Sequence, residues 1–207
     1  MIFNDRIDAG RQLAAALECY KGDDALVFAL PRGGVVVAAE IALALNVPLD
    51  LIVVCKVRHP LFPEYAVAAV AEDGHIVKNR AEVKSIDKQW FNESVRAEQQ
   101  EAGRRRQCYT RGRTPISAAG KTAIIVDDGL ANGLTMFAAI KEVRHFPTVQ
   151  DHCRGTGRST TNHRKIKNRC RRCCYPLCHC GFQVDRGFLH VLRTGNRRRS
   201  CGVNAPA

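Results

Sequence analysis

The segment AIIVDDGLANGLT, residues 123–135, constrains the fold more than any other stretch of the chain. Ala123 to Val126 form a short apolar run rich in β-branched residues, which suits a strand buried on both faces. Asp127 and Asp128 follow at its C-terminal end, and the loop Gly129, Leu130, Ala131, Asn132, Gly133, Leu134 and Thr135 leads into LTMFAAIKEVRHF, which has a helical period. The carboxyl edge of strands in an open α/β sheet is where ligands bind. Small residues there leave backbone N–H groups accessible, and a threonine at the helix start adds a hydroxyl beside the positive helix end, so the loop can cradle a phosphate. Two carboxylates alongside can accept hydrogen bonds from vicinal sugar hydroxyls or hold Mg²⁺ through water, which favours a ribose phosphate over a bare anion.

The remaining body repeats the alternation. ALVFAL, residues 25–30, is an apolar run ended by Pro31 and the pair Gly33-Gly34. VVVAAEIALALN has Val37, Ile41 and Leu45 at helical spacing, closed by Asn46 and Pro48. LIVVCKV, residues 51–57, reads as a second buried strand, completing a βαβ unit. Asp73-Gly74 within YAVAAVAEDGHIV signals a hairpin, and residues 79–108 read as a solvated helix anchored by Trp90, Phe91 and Val95, with Arg104 to Arg106 at its exposed end. His59 and His145 read as surface residues. Strands alternating with helices predict an α/β fold with a mainly parallel sheet flanked by helices.

Charge divides the chain. Its formal net charge is +12, which by itself would suggest a nucleic-acid partner. Residues 151–207, however, hold 13 Lys/Arg against only Asp151 and Asp185, whereas the first 150 residues carry 19 basic and 18 acidic side chains. A nearly neutral body argues against a nucleic-acid groove. The division predicts one domain over residues 1–148 and a basic Cys/Arg-rich tail over 149–207. No apolar run reaches the ~18 residues of a membrane span, and the start has no signal-peptide layout, so the expectation is a cytoplasmic protein with Cys19, Cys55 and Cys108 reduced.

AIIVDDGLANGLT resembles the phosphoribosyl-pyrophosphate signature of the type I phosphoribosyltransferases, and LPRGGV, VVCKVRHP, PEYAVAAVAEDG and RRRQCYTRGRTP extend the resemblance to a bacterial subgroup, over residues 1 to about 146. The resemblance implies transfer of a 5-phosphoribosyl group from phosphoribosyl pyrophosphate to a nitrogenous base, with Mg²⁺ carried mainly by the pyrophosphate. It implies that Asp127 and Asp128 orient the ribose hydroxyls and that residues 129–135 anchor the 5′-phosphate. Arg32, Gly33, Gly34 and Lys56 would hold the pyrophosphate, although a lysine ending a strand can also be merely exposed. Asn132 departs from the family pattern, which commonly has threonine there; an amide donor in its place predicts a loss on the order of 1 kcal/mol. The acceptor base and the oligomeric state are left open. A phosphoribosyl-pyrophosphate-binding regulator without turnover is the alternative reading.

The tail breaks the pattern. After Phe146 the family calls for a buried strand and another helix, but QDHCRGTGRSTTNHRKIKNRCRRCC shows neither period. Shifting the reading frame by one nucleotide lets DHCRGTGRSTT become IIVAVPVAPP and DRGFLHVLR become IGAFYTYF. The tail therefore reads as out of frame, with the sheet stopping halfway, its flank exposed and the C-terminal part incomplete or disordered. CRRCCYPLCHCG contains one C-x₂-C pair without the spacer that zinc modules use, so a zinc- or nucleic-acid-binding tail is the weakest reading.

Overall fold

A computed structural model describes residues 3–22, 24–129 and 133–145, together with the backbone of 188–193. The chain opens with helix α1 (Arg6–Ala16), which the sequence pattern did not announce; the Asp5 side chain caps it by accepting the Asp8 N–H at 2.8 Å. A 3₁₀ turn (Glu18–Tyr20) leads to strand β1 (Ala25–Ala29), helix α2 (Gly34–Leu45) and strand β2 (Leu49–Leu51). Asn46 ends α2 in the left-handed region at φ 54°, a conformation asparagine tolerates better than most residues.

β1 is the parallel neighbour of both β2 and strand β6 (Thr122–Asp127). The predicted βαβ unit and parallel sheet are therefore present. Alternation along these strands fills two layers. Val27, Ala29, Ile124 and Val126 pack with α1 and α2, while Leu26, Phe28, Ala123 and Ile125 pack with helix α5 (Leu134–His145). Both faces are covered, which is why the strands read as continuous apolar runs.

Two expectations about the sheet need correction. LIVVCKV is not one strand: β2 ends at Leu51, and strand β3 (Val54–Arg58) belongs to a second, antiparallel sheet with β4 (Ala66–Ala71) and β5 (Ile76–Lys78). Ile52 still donates to the Ala29 carbonyl at 3.0 Å, and the chain then leaves β1 to pair with β4. A β-branched run favours extended backbone but does not name its partner. The β4–β5 hairpin turns at Asp73-Gly74, as the sequence predicts, with Gly74 at φ 90°.

The second correction concerns the flank of β6. Strand β7 (Phe188–Arg193) pairs antiparallel with all of β6, from Thr122 to Asp127. An unpaired edge offers N–H and C=O groups to whichever extended segment reaches it, and FLHVLR, as translated, has the composition of a strand. The rest of the tail, including CRRCCYPLCHCG and the boundary near residue 148, lies outside the described residues.

Helix α3 (Arg80–Val83) and helix α4 (Lys88–Thr110) cover the antiparallel sheet. Asp87 caps α4 by accepting the Trp90 N–H at 2.8 Å. The anchors act as expected: Phe91 and Val95 are buried, and Trp90 packs at their edge against Val53, Cys55, Val57, Val67 and Val70. Arg106, read as part of a solvated helix end, is buried instead. Its Nη2 donates to both Asp50 carboxylate oxygens at 3.0 Å, and its Nη1 donates to the Leu51 carbonyl. Asp50 also accepts the Ile116 N–H at 2.7 Å, so one ion pair ties α4, β2 and the loop leading to β6 together. Cys55 and Cys108 are free thiols, as expected.

Candidate functional site

The site forms where β1 and β6, adjacent and parallel, both end. β1 runs into Pro31-Arg32-Gly33-Gly34 and then α2; the Pro31–Arg32 peptide is cis. β6 runs into Asp127, Asp128 and the loop before α5. Neighbouring parallel strands put both turns on one edge, and the glycines let them touch. A Cβ placed on Gly33 would lie 1.6 Å from Asp128 Oδ2, and one on Gly34 would lie 2.8 Å from the Val126 carbonyl oxygen. Close approach rather than an unusual φ calls for glycine here: at Gly34 the obstacle is fixed backbone, and at Gly33 a side chain would displace the Asp128 carboxylate.

Asp127 is 9% exposed, and its Oδ1 accepts the backbone N–H of Asp128 at 2.8 Å. Burial pushes its carboxyl up to about 6, the Asp128 N–H opposes that rise, the neighbouring Asp128 charge adds to it, and the Lys56 ammonium works against it. Lys56, exposed on β3, is therefore near enough for its charge to act on Asp127, although it belongs to the other sheet. Its ammonium makes no hydrogen bond among the described residues.

Asp128 has a partner that sequence reading missed. Arg6 Nε and Nη2 both donate to Asp128 Oδ2, at 3.0 and 2.7 Å. The residues are 122 positions apart, and only the packing of α1 on α2 brings them together. Arg6 thereby binds one oxygen of the Asp128 carboxylate, which lies against Gly33.

On the far side of the loop, Gly133 adopts φ 73° and Leu134 starts α5. First-turn amides of a helix have no intrahelical partner, so Thr135 sits where an anion would be met by N–H donors and its own hydroxyl. Gly129 is exposed with open space where a side chain would lie. Leu130, Ala131 and Asn132 lie outside the described residues. Arg32 is exposed, and its guanidinium makes no hydrogen bond or ion pair among the described residues.

Among the described residues no group of three or more His, Cys, Asp or Glu side chains is placed to hold a metal ion. The oxygens remaining on Asp127 and Asp128 suit a hard cation that arrives with most of its oxygen ligands already supplied by a phosphate substrate and water. Mg²⁺ fits the site in that form.

This geometry agrees with the comparisons to known proteins. The phosphoribosyl transferase domain model matches residues 4–146. The chain belongs to the phosphoribosyl transferase domain family. Two Mycobacterium tuberculosis relatives, from strains CDC 1551 and H37Rv and each named "Putative phosphoribosyl transferase", are 43% identical over 145 residues. That alignment takes in 69% of this chain and 33% of each relative, so the chain spans about a third of the length of these curated relatives. The crystal structure of TT1426 from Thermus thermophilus superposes with a TM-score of 0.58 at 36% identity, covering 72% of this chain and 71% of that one. No helix among the described residues is long and apolar enough to cross a membrane.

Proposed function

We propose that this member of the phosphoribosyl transferase family moves the 5-phosphoribosyl group of phosphoribosyl pyrophosphate to a nitrogenous base in the cytoplasm and releases pyrophosphate. The observation that carries the reading is the contact between the two loops, Gly33 against Asp128 and Gly34 against the Val126 carbonyl. A pyrophosphate loop and a ribose-binding acidic pair must be contiguous, because the ligand joins the two groups through a single sugar carbon.

In this proposal residues 129–135 fix the 5′-phosphate, and Asp127 and Asp128 orient the ribose hydroxyls. Arg32, with Gly33 and Gly34, receives the pyrophosphate, and Lys56 adds positive charge. Fixing the substrate at both ends leaves the anomeric carbon as the only part free to move, which lowers the entropic part of the barrier. The bond from that carbon to the pyrophosphate oxygen breaks with its electron pair leaving on the pyrophosphate, as a bond to the base nitrogen forms. Cations placed beforehand at the leaving group favour the transition state over the ground state. Asp127 and Asp128 would help hold a Mg²⁺ ion that arrives with the pyrophosphate, and that ion would supply further charge neutralisation.

The test is a titration of the full chain with phosphoribosyl pyrophosphate. The Asp127→Asn/Asp128→Asn double variant, folded as judged by its thermal transition, is expected to lose binding by at least roughly a hundredfold, about 3 kcal/mol for two charge-assisted contacts. Unchanged affinity would remove the ribose assignment. Turnover of a panel of purine and pyrimidine bases separates an enzyme from a binding protein without turnover. The same proposal keeps the remainder of residues 149–207 as an out-of-frame tail, and the nucleotide sequence around codons 145–152, set against an intact relative, tests it.

A further inference from the structure

Arg32 borders more than the acidic pair. Behind the loop that follows β1, a cavity of about 330 Å³ lies between that loop and α4. Pro31, Val53 and Val54 give it an apolar floor, and Arg32, Arg104, Arg105 and Tyr109 give it a polar wall. The same helix face contributes Glu101, the one carboxylate on this wall.

Glu101 holds the two α4 arginines in place. Arg104 donates to it through Nε and Nη2 at 2.6 and 2.9 Å, and Arg105 donates through Nε at 2.7 Å. These hydrogen bonds pull the Glu101 carboxyl down to about 2, so it stays ionised. One carboxylate offsets one of three guanidinium charges. The terminal nitrogens of Arg105 and the whole Arg32 guanidinium make no hydrogen bond among the described residues, and Arg104 Nη1 makes only a 3.9 Å contact with Cys108 Sγ. Two guanidiniums held by Glu101 and a third with all its donors unused, lining one void, match a polyoxyanion, which accepts several N–H groups on separate oxygens.

Which anion follows from position. In a displacement at the ribose carbon the acceptor and the leaving group occupy opposite sides. A cavity that shares Arg32 with the pyrophosphate loop therefore lies on the leaving-group side. We propose that Arg104 and Arg105, on α4, are pyrophosphate-binding residues that extend the Arg32 loop and receive the phosphate farther from the ribose. This rests on the assignment of that loop made above. It gives α4, which lies outside both signature loops, a direct part in binding: the leaving group meets two guanidiniums already oriented by Glu101.

The experiment is calorimetric titration of the full chain with magnesium pyrophosphate and, separately, with ribose 5-phosphate. The Arg104→Gln/Arg105→Gln variant is expected to weaken pyrophosphate roughly tenfold or more while ribose 5-phosphate affinity is unchanged. Arg105→Lys, which keeps the charge but loses the fork, is expected to fall between wild type and the double variant. Both side chains are exposed, so the thermal midpoint should hold and show that folding is intact. If the double variant binds pyrophosphate as wild type does, the proposal is overturned and the phosphoribosyltransferase reading stands. Pyrophosphate that binds in the cavity without competing with phosphoribosyl pyrophosphate also overturns it, and marks a separate effector site. If wild type binds neither ligand, the phosphoribosyltransferase reading fails, and this inference falls with it.

Discussion

The parallel sheet and the antiparallel sheet present their chemistry in opposite ways. β1 and β6 end in contiguous motifs, and the residues that matter there follow one another in sequence: Arg32-Gly33-Gly34, then Asp127-Asp128-Gly129. The antiparallel sheet, with α4 and α5 against it, assembles its charged groups from distant segments. Arg106 comes from α4, Glu72 from the end of β4 and Glu142 from α5, and Arg106 also reaches Asp50 on β2, the edge of the parallel sheet. Arg106 Nε stands 3.6 Å from Glu72 Oε1, and Glu72 Oε2, Arg106 Nε and Glu142 Oε2 are buried without a hydrogen-bond partner among the described residues. A motif loop is built by local backbone geometry, whereas a buried ionic cluster is built by packing. The first can be read along the chain; the partners that meet in the second cannot.

The largest effect expected in either region comes from breaking that cluster. Arg106→Met removes the only cation that pairs with Asp50 and Glu72 among the described residues and leaves buried carboxylates uncompensated, which costs about 3–5 kcal/mol. Urea denaturation at neutral pH measures it. A loss under about 1 kcal/mol would mean that the carboxylates are neutralised by protons rather than by Arg106.

Glu142 sharpens the same point through pH. Burial, followed by the charges of Asp73 and Glu72, pushes its carboxyl up to about 9, with Arg106 opposing. Burial likewise raises Glu72. A folded-state value above the ordinary 4.5 means that the native chain holds a proton the unfolded chain releases, so stability falls as pH rises from about 4.5 toward 9. Glu142→Gln mimics the protonated form and is expected to flatten that slope, gaining on the order of 3 kcal/mol over wild type between pH 5 and pH 8. Parallel stability–pH curves for the two proteins would show that Glu142 titrates normally.

In the parallel sheet the sensitive element is backbone approach. Gly34→Ala puts a methyl 2.8 Å from the Val126 carbonyl oxygen and 3.0 Å from the Asp127 Cα, and neither can rotate away. The expected cost is about 1–3 kcal/mol in stability. Phosphoribosyl pyrophosphate binding should weaken more than stability does, because the two loops are forced apart at the site. A variant that loses stability but keeps full affinity would show that the contact is structural only.

Legibility followed these physical lines. The strand–loop–helix at 123–135, the βαβ unit and the Asp73-Gly74 hairpin could be read because periodicity and turn chemistry are local. The split of LIVVCKV between two sheets could not, since extended preference does not specify a partner strand. Arg106 was within reach: it falls on the helical phase of Phe91, Val95 and Ala102, the buried stripe of α4, and counting that phase would have separated it from Arg104 and Arg105. Arg6 carried no such signal, because its role depends on α1 lying across α2.

By itself, then, the sequence determined the alternation of strands and helices, the acidic pair at a strand end and the glycines beside it, because each rests on hydrophobic period or backbone permissiveness within a few residues. The tertiary structure decided that Gly33 meets Asp128, that Arg6 holds Asp128, that the Lys56 charge acts on Asp127 from the second sheet, and that three adjacent arginines divide between a cavity and the interior. Those outcomes depend on which distant surfaces pack together, and burial, which sets whether a charge is solvated, bound or neutralised, exists only once they have done so.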